Sequence, residues 1–308
     1  MRRSHSVRAG LMDRRSLLQG MALLGGLTLC PRIAGAQAAK TGTIMVRWLG
    51  GGVVELATLD YKQMAYIDAW IWNNAGWTRF NVPKPPEYAS KDGFVQYVKS
   101  KSPQAVLVLL THDHGDHIGD YFEMLQALNT AGLPVKTAGQ SDLMRKGLVP
   151  EFKNAGLDPA QIVLNSGGSM NFGGTAKHGD MTVHLVPAVH STLAGYPSAG
   201  FILEIGGVRV YASGDTDLFG DMKLIGERYR PQLGFFCVGD GPYTMGPQDA
   251  ARACQMMGVS QAVPVHYAHN PQVLGIQAGE EFRQAVAAIA PSVKVHVMKP
   301  GDSIPVTA

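Results

Sequence analysis

A short run of histidines and aspartates, placed directly after an apolar segment, constrains this chain more than any other feature. Ala105–Leu110 is continuously apolar and predicts a buried central strand. The motif HDHGDH, which begins at His112, follows it and supplies three histidines and two carboxylates. In a loop, residues two apart can point at a common centre, so His112 and His114 could hold one metal while Asp116 and His117 turn to a second. A solvated polar turn is the plainer alternative, but composition seldom places three histidines so close together.

Three more residues of metal-binding type lie just past the ends of later predicted strands. They are His190, Asp215 and His266. The carboxyl ends of strands in an α/β sheet share an edge, and binding sites form there. A lone histidine is more often structural, but four strand ends that deliver histidine or aspartate to one edge predict a site.

The rest of the chain predicts a meander of short strands, followed by strands that alternate with helices. No internal repeat or linker divides it, so we expect one α/β domain over residues 39–308. Residues 70–93 interrupt this pattern with three tryptophans and three prolines, and they predict an irregular aromatic loop. Trp72 and Trp77 could line a substrate pocket, or they could form a subunit interface, which leaves a homo-oligomer open. Plain packing in the core is the third alternative, since tryptophan favours all three.

The N-terminus has the three parts of a secretory signal. A basic region with Arg14 and Arg15 precedes the apolar stretch Leu17–Leu29, and small residues follow. The segment Asp13–Gln19 resembles the twin-arginine export signal. We therefore expect residues 1–38 to be a signal peptide that engages the twin-arginine export machinery and directs the protein to the periplasm. The apolar stretch is shorter than the roughly 20 residues that span a bilayer, so no stable membrane anchor is expected.

The same leader accounts for the positive net charge of the chain. The formal charge is +3, but the leader holds six arginines and a single aspartate, and 21 basic and 23 acidic side chains remain beyond it. The folded body is therefore slightly acidic. This balance disfavours a nucleic-acid partner, which would require a basic surface.

The histidine motif resembles that of the metallo-β-lactamase superfamily, and longer segments narrow the resemblance. They are THDHGDHIGD (Thr111–Asp120), SGDTDLFGDMKLIGERYRP (Ser213–Pro231), YTMGPQDAA (Tyr243–Ala251) and PVHY (Pro264–Tyr267). These segments are similar to the uncharacterised metal-dependent hydrolase branch, which is related to ascorbate-6-phosphate lactonases. The resemblance spans about residues 43–304 and implies a four-layer αββα sandwich with a dinuclear metal site on one edge.

The resemblance also implies a ligand set, and all seven of its positions are filled in this chain. The first metal would be bound by His112, His114 and His190. The second would be bound by Asp116, His117 and His266, with Asp215 bridging both. No cysteine lies near these motifs, so the donors suit zinc first, with manganese and iron also compatible.

Such a site predicts hydrolysis. Two cations about 3.5–4 Å apart would share a hydroxide whose pKa is lowered to about 7, and that hydroxide would attack a carbonyl carbon or a phosphorus. Asp215 would hold the metals together, and Asp116 could take a proton while it anchors the second metal. We therefore expect an exported metal-dependent hydrolase of a small-molecule ester, lactone, amide or phosphodiester. No strongly basic cluster flanks the motifs, which favours an uncharged or carboxylate-bearing ester or lactone.

Two other functions remain open at this point. A single iron in the same fold could oxidise thiols, although a full dinuclear ligand set argues against it. A periplasmic metal-binding protein without catalytic activity is the other, because a fold alone does not determine function.

Three further residues could support the site. Asp68 could hydrogen-bond a ligand imidazole or cap a turn. Asp240 could contact a ligand residue or belong to a turn. His269, three residues past His266, could contact the substrate or donate a proton, or it could be a solvated loop residue.

Overall fold

The computed structural model describes residues 42–308, in which the strands form two sheets. The strands are β1 (Thr43–Gly50), β2 (Val53–Thr58), β3 (Gln63–Ile67), β4 (Ala105–Leu109), β5 (Val135–Ala138), β6 (Thr175–His178), β7 (Met181–Pro187), β8 (Ala199–Ile205), β9 (Val208–Ala212), β10 (Leu233–Cys237), β11 (Gln261–Val265), β12 (Lys294–Val295) and β13 (Ser303–Thr307). The helices are α1 (Gly76–Arg79), α2 (Pro86–Ala89), α3 (Lys91–Lys101), α4 (Gly115–Ile118), α5 (Tyr121–Thr130), α6 (Val149–Asn154), α7 (Pro159–Ile162), α8 (Met222–Tyr229), α9 (Pro247–Met257) and α10 (Ala278–Ile289), with a π-helical turn at Leu143–Gly147.

The pairing of the strands decides where their ends lie. The first sheet has the order β13-β1-β2-β3-β4-β5, and the second has the order β12-β11-β10-β9-β8-β7-β6. In the first sheet, an antiparallel meander of β1, β2 and β3 leads to parallel pairing of β3 with β4 and of β4 with β5. In the second, β9, β10 and β11 run parallel after the β8–β9 hairpin. Parallel strands bring their carboxyl ends to one edge of a sheet.

Strand β4 shows why the central strands are apolar throughout. Leu107 and Leu109 belong to the core that joins the two sheets, whereas Val106 and Val108 belong to the core that includes residues of α3 and α5. Both faces of the strand are therefore covered, which requires apolar side chains at every position. Helices α8, α9 and α10 contribute to the first of these cores. The predicted four-layer αββα architecture is confirmed.

The prediction of an irregular loop over residues 70–93 is wrong in part. The short helices α1 and α2 lie within it, and α3 begins there at Lys91. The Ser90 side chain accepts a hydrogen bond from the backbone N–H of Gly93 and so caps α3. Only Phe94 and Val98 are buried in this helix, so its apolar spacing in the sequence is too sparse to predict it.

The predicted export signal, residues 1–38, lies outside the described residues and stays a prediction. Across residues 42–308, no helix is both long and apolar enough to cross a bilayer.

Candidate metal centre

Five strand ends deliver polar side chains to one region. They are the ends of β3, β4, β7, β9 and β11, which are followed by Asp68, His112, His190, Asp215 and His266. The sequence suggested that the motif after β4 lies entirely in a loop, but it does not. It turns into the single helical turn α4, which carries Asp116 and His117.

The carboxylate of Asp215 lies at the centre of the site. Its Oδ2 atom is 3.0 Å from Nε2 of His266, 3.3 Å from Nε2 of His117, 3.7 Å from Nε2 of His190 and 4.0 Å from Nε2 of His112. A carboxylate oxygen that is surrounded by four imidazoles is well placed to bind two cations at once.

The donor atoms form three overlapping sets, within each of which every pair of atoms lies within 4.8 Å. The sets are His112, His114 and His190; His112, His117 and Asp215; and Asp116, His117 and His266. The first and third sets are the two ligand groups that the resemblance implies, and the second joins them. The structure thus brings together all seven predicted ligand residues.

Several of these atoms lack hydrogen-bond partners. Nε2 of His112, Nε2 of His117 and Oδ1 of Asp215 are buried and make no hydrogen bond to any described residue. Leaving a buried polar atom unpaired costs about 1–3 kcal/mol, and coordination to a cation removes that cost. Imidazole nitrogens and carboxylate oxygens are donors that zinc, manganese and iron accept. The residues present therefore fit divalent metal ions.

The charges in the site are strongly coupled. Burial alone would lower the pKa of His117, but the carboxylates of Asp215 and Asp68 raise it well above 6.5. Burial would likewise lower the pKa of His266, but Asp215 and Asp116 together raise it to about 9. Burial would raise the pKa of Asp215, but His266 and His117 hold it well below 3.8. The carboxylates thus create a negative potential that raises the proton affinity of His117 and His266 and would equally attract cations.

Asp68 contacts one candidate ligand histidine, His117, and the neighbouring Thr111. Its Oδ2 atom lies 2.7 Å from Nδ1 of His117, and its Oδ1 atom accepts from the backbone N–H of Thr111 at 2.8 Å. The Thr111 hydroxyl also lies 3.0 Å from Nδ1 of His112. A carboxylate on Nδ1 fixes the imidazole orientation and leaves Nε2 free to bind a metal. Of the two roles open for Asp68, the structure shows the contact with an imidazole; the sequence analysis assigned Thr111 no role.

A glycine turn closes over the same histidine. A Cβ at Gly52 would lie 2.7 Å from Cε1 of His117, so only glycine leaves room for the ring. The carbonyl of Gly51 accepts from the backbone N–H of His266 at 2.8 Å. The contact of these glycines with the site was not predicted from the sequence.

Asp113, between two ligand histidines, fixes a different segment. Its carboxylate is 7% exposed and accepts from the backbone N–H groups of Leu193 at 2.8 Å and Ala194 at 2.7 Å. These residues follow His190, so Asp113 holds the segment that carries this candidate ligand. This role of Asp113 was not predicted from the sequence, in which the position of the residue within the motif was the available signal.

His269 does not reach the substrate side of the site. It is fully buried, its Nε2 atom lies 3.0 Å from Oδ2 of Asp116, and its ring meets Trp70 edge-on. The predicted substrate contact and the alternative of a solvated loop residue are therefore both wrong, because a side chain without exposed surface touches neither substrate nor solvent. The contact instead orients the Asp116 carboxylate.

The predicted tryptophan wall is also corrected. Trp77 is only 2% exposed and stacks on Tyr88 within the core, so it cannot bind a substrate. Trp72 is partly exposed, but its ring packs against Phe94 and does not line the cavity described below. Large aromatic side chains serve a core and a pocket wall equally well, and only their burial distinguishes the two.

Asp240 belongs to a turn. It is exposed, has a positive φ of 50°, and bonds through its backbone N–H to the carbonyl of Met245. Its carboxylate makes no hydrogen bond to a candidate ligand within residues 42–308. The predicted supporting role is therefore not observed.

A cavity of about 220 Å³ gives access to the cluster. It is lined by His114, Asp116, His190, Asp215, Tyr243, His266, Asn270 and Gln272. Five of these are candidate ligands, and the other three form a wall that the sequence analysis did not identify. Tyr243, Asn270 and Gln272 lie in loops, where single residues carry little signal in one sequence.

The chain is similar to known proteins. A family model described as the Beta-lactamase superfamily domain matches residues 70–267. A metal-dependent hydrolase of Archaeoglobus fulgidus is 38% identical over 268 residues, which cover 84% of this chain and 97% of that protein. A metal-dependent hydrolase of Cupriavidus metallidurans is 34% identical over 289 residues, which cover 89% of this chain and 88% of that protein.

A solved structure extends the likeness to the fold. The structure of a metallo hydrolase from the archaeon Ignicoccus hospitalis matches with a TM-score of 0.66 and 28% identity, covering 86% of this chain and 98% of that one. The family match, the relatives and the fold agree with the cluster of histidines and aspartates. The chain therefore belongs to the metallo-β-lactamase superfamily and is one of its metal-dependent hydrolases.

Proposed function

We propose that this hydrolase uses two metal ions to cleave a small ester or lactone. The observation that carries the proposal is the position of Asp215, whose Oδ2 atom lies within 4.0 Å of four histidine nitrogens from two donor sets. A mononuclear site would need only one of these sets. The presence of both favours the dinuclear hydrolase over oxidation of thiols at a single iron.

The donor residues divide between the two metals as follows. One metal would be held by His112, His114 and His190, the other by Asp116, His117 and His266, and both by Asp215. Zinc suits this set of nitrogen and carboxylate donors, and manganese and iron are compatible with it. When bound, the metals would supply Lewis acidity and lower the pKa of the attacking water.

The two carboxylates of the site are placed for different tasks. The side chain of Asp215 is 4% exposed and lies among the histidines, which suits it to hold the two metals together. The side chain of Asp116 is 27% exposed and borders the cavity, where it can take a proton from the attacking water. Contacts with His266 at 3.3 Å and His269 at 3.0 Å orient it.

Activity with and without metal tests the hydrolase proposal. The full-length protein is stripped with a chelator, reloaded with zinc, manganese or iron, and assayed on p-nitrophenyl acetate, dihydrocoumarin and bis(p-nitrophenyl) phosphate. We expect the reloaded protein to hydrolyse the ester and the lactone, and the stripped protein to be inactive. No hydrolysis by any loaded form would contradict the proposal. Oxygen uptake with a thiol in the iron form alone would support the redox alternative.

We also propose that the protein is exported to the periplasm by the twin-arginine pathway. The proposal is supported by Arg14 and Arg15, the apolar stretch after them and the small residues that follow it. A double Arg14→Lys, Arg15→Lys variant should keep the precursor in the cytoplasm, while the unaltered chain reaches the periplasmic fraction. Equal periplasmic amounts of the two would contradict this route.

A further inference from the structure

The wall of the cavity carries no charge of its own. Of the eight lining residues, the five that can ionise at neutral pH are all candidate metal ligands. The other three are Tyr243, Asn270 and Gln272, and none of the described residues that line the cavity is a lysine or an arginine. A charged substrate group that lies against this wall, away from the metals, would therefore have no residue of opposite charge to pair with.

The three wall residues leave specific hydrogen-bond donors free. The Tyr243 hydroxyl donates to Oε1 of Gln272 at 2.8 Å, and the backbone N–H of Gln272 donates to Oδ1 of Asn270 at 2.7 Å. The oxygen of each side-chain amide is thus already engaged. Each amide nitrogen carries two N–H donors and makes no hydrogen bond to a described residue.

We infer that the cavity takes an uncharged ester or lactone with a second acceptor oxygen, which the amides of Gln272 and Asn270 bind while the scissile carbonyl lies at the metals. The inference rests on the proposed hydrolase. A neutral oxygen pairs with an amide N–H without bringing an uncompensated charge into the site. The cavity volume of about 220 Å³ is below the roughly 300–1,000 Å³ of sites for drug-sized ligands, so the part of the substrate that the cavity encloses is compact.

Three p-nitrophenyl esters of similar length test the inference. The levulinate ester is neutral and has a ketone oxygen, the pentanoate ester is neutral and lacks one, and the 3-sulfopropanoate ester is anionic. In each case water supplies a hydroxyl to the acyl carbon and the acyl–oxygen bond breaks. The products are a carboxylate, p-nitrophenolate and two protons, so one absorbance change follows all three reactions.

With the zinc-loaded full-length protein, we expect kcat/KM to fall from levulinate to pentanoate to sulfopropanoate. The ketone should contribute about 5- to 10-fold over pentanoate, the usual worth of one hydrogen bond. A Gln272→Leu variant should lose this preference, because it removes an amide that binds the ketone oxygen. Gln272→Lys should raise kcat/KM for sulfopropanoate by about 5-fold or more, because a cation then faces the anion.

Gln284→Lys is the matched control, since it makes the same change on the exposed face of α10. It should alter none of the three rates by more than about 2-fold. Faster hydrolysis of sulfopropanoate than of levulinate by the unaltered protein would overturn the inference while the hydrolase stands. Equal rates with levulinate and pentanoate would also overturn the inference and leave the proposed hydrolase standing. Absence of turnover of every ester would instead refute the proposed hydrolase and the inference with it.

Discussion

The two halves of the metal centre are supported in different ways. The half formed by His112, His114 and His190 contains imidazoles alone, and two of them are partly exposed. The half formed by Asp116, His117 and His266 contains a carboxylate, and its two histidines are buried. Residues that are not ligands also support each half. In the second half, Asp68 contacts His117 and His269 contacts Asp116. In the first half, Thr111 contacts His112, and Asp113 holds the segment after His190.

The second half would therefore hold its metal by negative charge, and the first half by the placement of its imidazole rings. A carboxylate ligand and a carboxylate behind a histidine both increase the attraction for a cation in the second half. The first half has only neutral donors besides the shared Asp215, so its metal depends on where three rings are placed. We therefore expect a chelator to remove the metal of the first half more readily.

The largest effect is expected where the two halves meet. Asp215→Asn keeps the shape of the side chain but removes the charge that both metals share, so both halves should lose metal. Hydrolysis of the ester panel should fall by about 100- to 1,000-fold. Asp221→Asn, an exposed residue before α8 with no capping hydrogen bond, is the control and should leave the rate unchanged. Full activity in Asp215→Asn would contradict a shared carboxylate.

A smaller effect, confined to the second half, is expected at Asp68. Asp68→Asn removes the carboxylate from Nδ1 of His117, and loss of such a partner typically lowers metal affinity by about 10- to 100-fold. Competition with a chromophoric chelator should therefore show one weakened metal and one unchanged metal. Equal weakening of both metals would show that the two halves are not supported independently.

The smallest effect is expected at Asp113, which acts on the first half through the backbone. Asp113→Ala removes two hydrogen bonds to the segment after His190 and should lower the free energy of unfolding by about 1–3 kcal/mol. Urea denaturation measures this change, and limited proteolysis should reveal new cleavage near Leu193. Asp142→Ala, which breaks an exposed pair with Lys146, should change stability by less than about 1 kcal/mol. A stability loss in Asp113→Ala no larger than in this control would contradict the role of Asp113.

The ligand cluster could be predicted because two independent signals coincide in the sequence. Metal coordination requires particular residue types, and the strand pattern places His112, His190, Asp215 and His266 beyond strand ends that meet in space. Neither signal depends on details of packing. The architecture followed from the same strand pattern and from the family resemblance, while the narrower relation to ascorbate-6-phosphate lactonases stays a prediction.

The surroundings of the cluster could not be predicted, because they depend on which way each side chain faces. Trp77 is a residue type that often lines pockets, but it is buried in the core. His269 contacts Asp116 from the protein interior and not from the cavity. Asn270 and Gln272 are ordinary loop residues in the sequence, and only the fold places them across from the ligands. Burial and orientation are tertiary properties that residue type alone does not encode.

The number of metals per chain tests the dinuclear centre most directly. Elemental analysis of the protein, purified after native export, should find two metals per chain, and about one in each of the single variants His117→Ala and His190→Ala. His190→Ala should keep the metal of the second half, which is bound more tightly. His117→Ala should keep the metal of the first half, which is bound more weakly. One metal per chain in the unaltered protein, unchanged by His117→Ala, would contradict the account and favour the mononuclear alternative.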